Sequence, residues 1–554
     1  MSKVVIVGGV AGGMSAATRL RRLAEDAEII VFEKGPYVSF ANCGLPYHLS
    51  GTIPERTSLM VQSPEALWAR FRIDARPNHE VISIHPQEKI VEVQHRGKVF
   101  QESYDELILA TGASAIIPQI EGLAQAKNVH TLRNIPDMDE ILNQLEQGVQ
   151  NATIVGAGFI GVEMVENLHK RGIHVTLVEK ATHVLPNLDA EMAAFVEEEL
   201  LKNNVDLQLS KAVAEIKGNG TRLVLDDGTQ INSDLTILSV GVQPNSALAE
   251  NAGLQLGLKK GIMVDENYET SVKHVYAVGD VAVTKQQITN EPTLIPLASP
   301  ANRQGRQVAD VLAGLRRVNR GSIGTAIVQA FNLSAASTGL SEQTARQEFA
   351  NVLVAHVSGT DHATYYPNSQ TMWLKLIFDG KTGQIYGAQA VGANGVDKRI
   401  DVLATAIKGN LSVFDLPELE LTYAPPFGTA KDVVNMVGYV ATNLVERLSK
   451  NIQWHELSAE LAKGKQLLDL RDPKEIVRDG RIKGATNIPL NQLREHTDLL
   501  DPHQEYVLYC QSGLRSYVGE RILRQKGFKV ENLDGAFGLY KTIMKEEVEQ
   551  IEKY

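Results

Sequence analysis

The run Ile154-Val155-Gly156-Ala157-Gly158-Phe159-Ile160-Gly161, with Val175 to Val178 and Glu179 following it, decides the fold. A short apolar stretch that meets a glycine turn and then a helical pattern reads as a buried parallel strand entering a helix. Glycines at that turn let backbone approach a pyrophosphate at the helix N-terminus. An acid closing the next strand accepts hydrogen bonds from ribose hydroxyls. The same unit stands at Val4 to Val7, continues through Gly8-Gly9-Val10-Ala11-Gly12-Gly13 and a helical pattern to about Leu23, and closes with Ile29 to Phe32 and Glu33. Val10 occupies the usual place of the second glycine. At the later unit Glu179 would bond a free 2′-hydroxyl and repel a 2′-phosphate, which favours NADH over NADPH; the adjacent Lys180 pulls the other way.

Around these two units lies a chain of 554 residues, too long for one core, so three or four domains are expected. Hydrophobic residues make up 43% and charged residues 22%, an ordinary globular balance, and the net charge of −11 argues against a nucleic-acid or membrane-surface binder. No run approaches the roughly 18 apolar residues needed to cross a bilayer. The segment after Met1-Ser2-Lys3 superficially resembles a signal peptide, but Glu33 completes a strand–turn–helix–strand unit from it, so a cytoplasmic, reducing compartment is expected.

The chain has two cysteines, Cys43 and Cys510, far too few for a disulfide scaffold. Each therefore reads as a reactive centre. Two further strand-to-turn segments, Leu107-Ile108-Leu109-Ala110-Thr111-Gly112 and Val275-Tyr276-Ala277-Val278-Gly279-Asp280, complete a set of four motifs. In this order they resemble the flavoprotein pyridine nucleotide-disulfide reductases over about residues 1–445. The resemblance implies that the first fingerprint holds FAD, through Gly8, Val10, Ala11, Gly12, Glu33, Lys34, Ala110, Thr111, Gly112, Arg133, Gly279, Asp280 and Ala298. The second would hold NADH, through Gly156, Gly158, Phe159, Ile160, Gly161, Glu163, Glu179 and Gly241. Phe159 would cover the flavin until the nicotinamide displaces it, and Glu163 would meet the nicotinamide amide.

Many members of that family carry a Cys-x4-Cys pair. Here the fifth residue after Cys43 is His48, so the reductase must work with one thiol. The single-thiol branch comprises NADH peroxidase, NADH oxidase and coenzyme A-disulfide reductase. A lone cysteine can alternate between thiolate and sulfenic acid, or between thiolate and a mixed disulfide. Ser39-Phe40-Ala41-Asn42-Cys43-Gly44-Leu45-Pro46-Tyr47 looks like the coenzyme A-disulfide reductase form. That implies coenzyme A phosphates on Arg19 and Arg22, three apart on one helix face, and a pantetheine arm along Ser39 and Asn42. Cations also suit a helix C-terminus without any ligand. From about Thr325 the chain resembles the family's dimerisation domain. That resemblance implies that two tyrosines from the opposite subunit reach the thiol, with Tyr365 (or its neighbour Tyr366) and Tyr423 at the matching positions.

Beyond Lys450 the segments Gln466 to Arg471, Gly484 to Leu490 and Tyr506 to Cys510 resemble a rhodanese domain, with Arg481 where a histidine is usual. The loop Cys510-Gln511-Ser512-Gly513-Leu514-Arg515-Ser516 follows a strand and enters a helix, so its backbone N–H groups can ring a sulfur anion; Arg515 is expected to add a cation. Phosphatases use a similar Cys-x-x-Gly-x-Arg cradle, but the preceding segments favour rhodanese.

The expected architecture is α/β. It comprises an FAD-binding domain (1–113 and 240–324), an NAD-binding domain (114–239) and an α+β dimerisation domain (325–446). A linker (447–456) and an α/β rhodanese domain (457–554) follow. The whole resembles coenzyme A-disulfide reductase–rhodanese fusions of the NADH-dependent persulfide reductase type. The implied activity is reduction of coenzyme A persulfide, polysulfide or coenzyme A disulfide by a homodimer with shared active sites, using FAD, NADH and coenzyme A and no metal. NADH oxidase or peroxidase chemistry at a Cys43 sulfenate, and a non-enzymatic redox- or sulfur-sensing module, remain the alternatives.

Overall fold

A computed structural model describes residues 2–551. The chain divides into two compact units, one running to Thr182 and resuming over Asn204–Gly324, the other formed by His183–Asn203 and the residues from Thr325 on.

The first unit contains two parallel five-stranded sheets. In one, Val275–Ala277, Glu106–Leu109, Lys3–Val7, Glu28–Glu33 and Ile73–Pro77 lie side by side in that order. Side chains alternate along a strand, so Val4 and Ile6 face one apolar cluster while Val5 and Val7 face another. Burial on both faces is why this strand is an unbroken apolar run. The helix Ala11–Arg21 covers one face together with Ala298–Leu312.

The second sheet repeats the plan with Asp206–Leu209, His174–Glu179, Asn151–Val155, Leu235–Leu238 and Val129–His130. Each fingerprint strand is central, so each glycine turn opens at the carboxyl end of its sheet, where such folds bind ligands. Two antiparallel three-stranded meanders, Glu80–Ser103 and Val213–Asn232, also belong to this unit.

The second unit is built on an antiparallel sheet of Ala326–Ala330, Leu333–Gly339, Ile385–Gly392, Thr371–Asp379 and Val352–Thr360. Helices Val396–Lys408 and Val433–Val445 pack on it. A parallel sheet follows, in the order Asn451–Ile452, Lys529–Leu533, Glu505–Tyr509, Gln466–Asp469 and Thr486–Asn487.

Two boundaries differ from expectation. The stretch 447–456 is not a free linker, because Asn451–Ile452 is the edge strand of the last sheet, paired with Asn532 and Leu533. Residues 183–203, expected inside the NAD-binding domain, pack with the second unit. Their helix Ala190–Lys202 buries Met192, Val196 and Leu200, so an amphipathic pattern set its existence while tertiary contacts set its company.

Candidate active sites

The first fingerprint lines a cleft of about 460 Å³, together with Glu33, Lys34, Ala110 to Gly112, Arg133, Gly279 and Asp280. Backbone geometry explains the glycines. Gly8 has φ +106°, and a Cβ there would lie 2.1 Å from the carbonyl oxygen of Ala110. Val10 has φ −115°, so the position does not require the left-handed conformation that favours glycine. The Glu33 carboxylate accepts from the N–H groups of Gly9 (2.9 Å) and Gly35 (2.8 Å), tying the turn to the end of the second strand. Arg133 donates to the carbonyl of Ala113 (2.9 Å) and approaches the Asp280 carboxylate at 3.5 Å.

The second fingerprint repeats this clasp. Glu179 accepts from the N–H groups of Ala157 (2.6 Å) and Ala181 (2.7 Å). Gly156 has φ +103° and Gly241 has φ +114°. No side chain caps the helix Ala11–Arg21 or the helix Phe159–His169. Their first N–H groups thus remain available to an anion, and a dinucleotide pyrophosphate fits both turns. Phe159 and Ile160 are half-buried in the first turn of the second helix, with Glu163 one turn further.

Cys43 opens on a second cleft of about 480 Å³, lined also by Arg22, Ser39, Asn42, Gln62, Arg70, Ala298 and Asn302. Val10, Ala11, Phe40 and Asn42 line both clefts and join them. The Cys43 loop is braced by Ser39, whose N–H donates to the carbonyl of Gly9 at 2.8 Å and whose φ of +50° is left-handed. The thiol is exposed, with Asn42 Oδ1 3.7 Å from its sulfur. Desolvation by the surrounding protein and the Glu163 carboxylate push the thiol above its ordinary pKa, while Arg133 pulls it down. Burial, reinforced by Glu166, raises Glu163 itself to about 7, and burial followed by the Glu163 and Glu166 carboxylates pushes Tyr47 up to about 12.

Two residues stand elsewhere than expected. Arg19 does not line the second cleft: its guanidinium is held 2.6 Å from Asp310, itself also paired with Arg317. Ala298, expected at the FAD site, lines the Cys43 cleft, and Ala301 reaches the first one instead. One helical turn separates them, enough to move a side chain between adjoining clefts. Sequence reasoning missed Arg70; its place beside Arg22 depends on the helix Pro64–Phe71 folding back over the cleft.

In the second unit, Cys510 directly follows the strand Glu505–Tyr509 and is 1% exposed. Its sulfur receives the N–H of Gly513 at 3.2 Å and the hydroxyl of Ser516 at 3.6 Å. Gly513 turns the chain at φ +102° into the helix Leu514–Gln525. Arg515, expected to add its charge to the sulfur, makes a bidentate pair with Glu475 (2.6 Å and 2.6 Å) and also interacts electrostatically with the Cys510 sulfur. Ser516 is the side chain in direct contact with the thiol. Below the loop, buried Arg471 pairs with Asp469 at 2.7 Å and stacks 3.8 Å over the ring of Phe537. Tyr365 and Tyr423, 74% and 47% exposed, share a hydrogen bond of 2.8 Å between their hydroxyls. Tyr366 instead meets His362 edge-on, so Tyr365 is the member of the pair that joins Tyr423.

Comparison with known proteins agrees with this layout. Residues 2–305 match the pyridine nucleotide-disulphide oxidoreductase family, 325–433 its dimerisation domain and 453–542 the rhodanese-like domain. Coenzyme A disulfide reductase of Staphylococcus aureus (strain bovine RF122 / ET3-1) is 37% identical over 445 residues, spanning 80% of this chain and 100% of that protein. The crystal structure of reduced Bacillus anthracis CoADR-RHD superposes with a TM-score of 0.98 at 47% identity, covering 99% of each chain. An NAD-dependent persulfide reductase from A. fulgidus superposes with a TM-score of 0.92 at 36% identity, over 97% of this chain and 100% of that one. The chain therefore belongs to the pyridine nucleotide-disulphide oxidoreductase family and carries that family's dimerisation domain and a rhodanese-like domain.

Proposed function

We propose that this flavoprotein reductase uses NADH to reduce coenzyme A persulfide, polysulfide or coenzyme A disulfide at Cys43, and that Cys510 carries sulfane sulfur. The observation that carries this reading is the Cys43 cleft. It holds one thiol and the cations Arg22 and Arg70, and it adjoins the first dinucleotide cleft. No second cysteine exists nearby to form an internal disulfide. In a mixed-disulfide cycle the substrate then supplies the other sulfur.

The Cys43 thiolate attacks the coenzyme A sulfur of the persulfide, forming a mixed disulfide and expelling hydrosulfide. FAD and NADH, when bound, supply the two electrons that return Cys43 to thiolate and free the coenzyme A thiol. Arg22 and Arg70 hold the phosphates of the coenzyme, and Ser39 and Asn42 flank its pantetheine arm. Glu179 selects NADH through the ribose hydroxyl. In a homodimer the Tyr365–Tyr423 pair serves the thiol of the second subunit, a phenol donating to the departing sulfur. The reducing compartment this chemistry needs is the cytoplasm, and no helix among the described residues is long and apolar enough to cross a membrane.

The test is turnover of wild type and Cys43→Ser with coenzyme A persulfide, coenzyme A disulfide, polysulfide and oxygen, measuring sulfide, free thiol and NADH. Cys43→Ser should retain FAD and lose all sulfur-dependent NADH oxidation. Undiminished persulfide turnover in that variant would sink the mechanism. A water-forming NADH oxidase from Lactobacillus brevis shares this fold at 26% identity with a TM-score of 0.77, over 81% of this chain and 100% of that one. Faster turnover with oxygen than with any sulfur acceptor would favour oxidase chemistry.

A further inference from the structure

The Cys510 loop does not stand on its own domain alone. After the strand Lys529–Leu533 the chain passes through Asp534, then Gly535 at φ +69° and Ala536 at φ +53°, into the helix Ala536–Ile543. A left-handed alanine is uncommon, and such strain persists only where surrounding contacts over-determine it. The turn aims two N–H groups at the sulfur loop. Phe537 donates to the carbonyl of Cys510 at 2.9 Å, and Gly538 to that of Gln511 at 3.0 Å.

What holds the turn comes largely from the dimerisation sheet. Buried Asp534 accepts from the backbone N–H of His356 at 3.1 Å and bonds its Nδ1 at 2.7 Å. Asn451 and Gln453 complete the carboxylate at 3.0 and 3.1 Å. The other ring nitrogen of His356 lies 3.1 Å from the Glu191 carboxylate. With a carboxylate at each nitrogen, both must be donors, so the ring is an imidazolium.

On the neighbouring strand Lys375, paired in register with His356, answers the excess negative charge through Glu191, Asp189 (2.9 Å) and Glu342 (2.6 Å). Two residues earlier on the same face, Trp373 packs so closely on Gly538 that a Cβ there would lie 2.8 Å from the indole. Phe195 stacks on the same ring at 5.3 Å.

We infer that His356 and Trp373 of the dimerisation domain are positioning residues for the Cys510 sulfur site, acting through Asp534 and Gly538 on the turn that holds the loop. The inference rests on Cys510 being the sulfur carrier. Loss of the clamp lets Phe537 and Gly538 drift from the loop carbonyls, so the Gly513 N–H and Ser516 hydroxyl no longer converge on the sulfur.

The test uses full-length protein with FAD bound and two variants, His356→Gln and Trp373→Phe. Alkylation of Cys43 and Cys510 by iodoacetamide is followed together across pH by peptide mass spectrometry. Sulfur loading of Cys510 is read separately with coenzyme A persulfide. In at least one variant the pH midpoint for Cys510 should rise by about one unit as its N–H donors are lost. Loading should fall roughly a hundredfold, as for a group displaced by about 1 Å, with Cys43 unchanged. Wild-type midpoint and loading in both variants would overturn the inference, and so would parallel changes at both cysteines, which mark general loosening. If unaltered protein takes no sulfur at Cys510, the carrier role falls first, a result separable from the comparison of variants.

Discussion

The two glycines that flank Phe159-Ile160 are expected to fail in different ways when each becomes alanine. At Gly161 an added Cβ would lie 2.0 Å from the carbonyl oxygen of Gly156 and 2.9 Å from Ser239 Oγ. Ordinary contact begins near 3.4 Å, so the helix Phe159–His169 must retreat by about 1.4 Å. The Gly156 carbonyl cannot yield easily, because its residue is tied to Val178 through an N–H bond of 2.8 Å. Overpacking of this kind costs about 3 kcal/mol. For a domain of this size that is a fall of roughly 6–12 °C in melting temperature. It also carries the helix N-terminus away from the pyrophosphate, and a shift of that size should raise the KM for NADH about a hundredfold. Gly158 has φ −73°, and no atom lies within 4 Å of the place an added methyl would take. Gly158→Ala should therefore melt with wild type, yet raise the NADH KM roughly tenfold because its methyl occupies the path of the pyrophosphate. Both variants should keep FAD, whose fingerprint lies elsewhere. Thermal melting paired with NADH-dependent reduction of an artificial acceptor reads both effects. A Gly161→Ala protein with unchanged melting and KM, or a Gly158→Ala protein as unstable as it, would refute the reasoning.

Glu179→Ala should narrow the NADH over NADPH ratio of kcat/KM by about tenfold by removing the carboxylate that meets the ribose; a wild-type preference for NADPH would contradict that role. Glu163, raised by burial to about 7, is more stable protonated in the fold than in the unfolded chain. Its contribution is complete below pH 4.5 and lost as pH rises through 7. Glu163→Gln keeps the neutral form, so its advantage over wild type should grow from nothing near pH 4.5 to about 3 kcal/mol above pH 7. Equal denaturation midpoints for the two proteins at about pH 8.5 would show that Glu163 ionises freely.

What could be read from the chain alone was written in contiguous residues. A strand, a glycine turn and a closing acid are local, and their geometry follows from φ angles and short-range sterics. Both glycine turns were therefore legible, whereas the backbone clasps made by Glu33 and Glu179 were not, since the sequence assigned those carboxylates to ribose hydroxyls. The isolation of Cys43 and the strand-to-helix cradle of Cys510 were legible for the same reason.

Tertiary structure alone decided which long side chain reaches which partner. Arg19 meets Asp310 across 291 residues of sequence, His356 meets Asp534 across 178, and Arg515 turns to Glu475 40 residues away. A flexible cation on a helix has several candidate carboxylates. Spacing cannot choose among them, because the choice depends on which elements the apolar cores bring together. The same holds for Asn451–Ile452. Two residues carry no periodicity, and they become a strand when Lys529–Leu533 offers them an open edge.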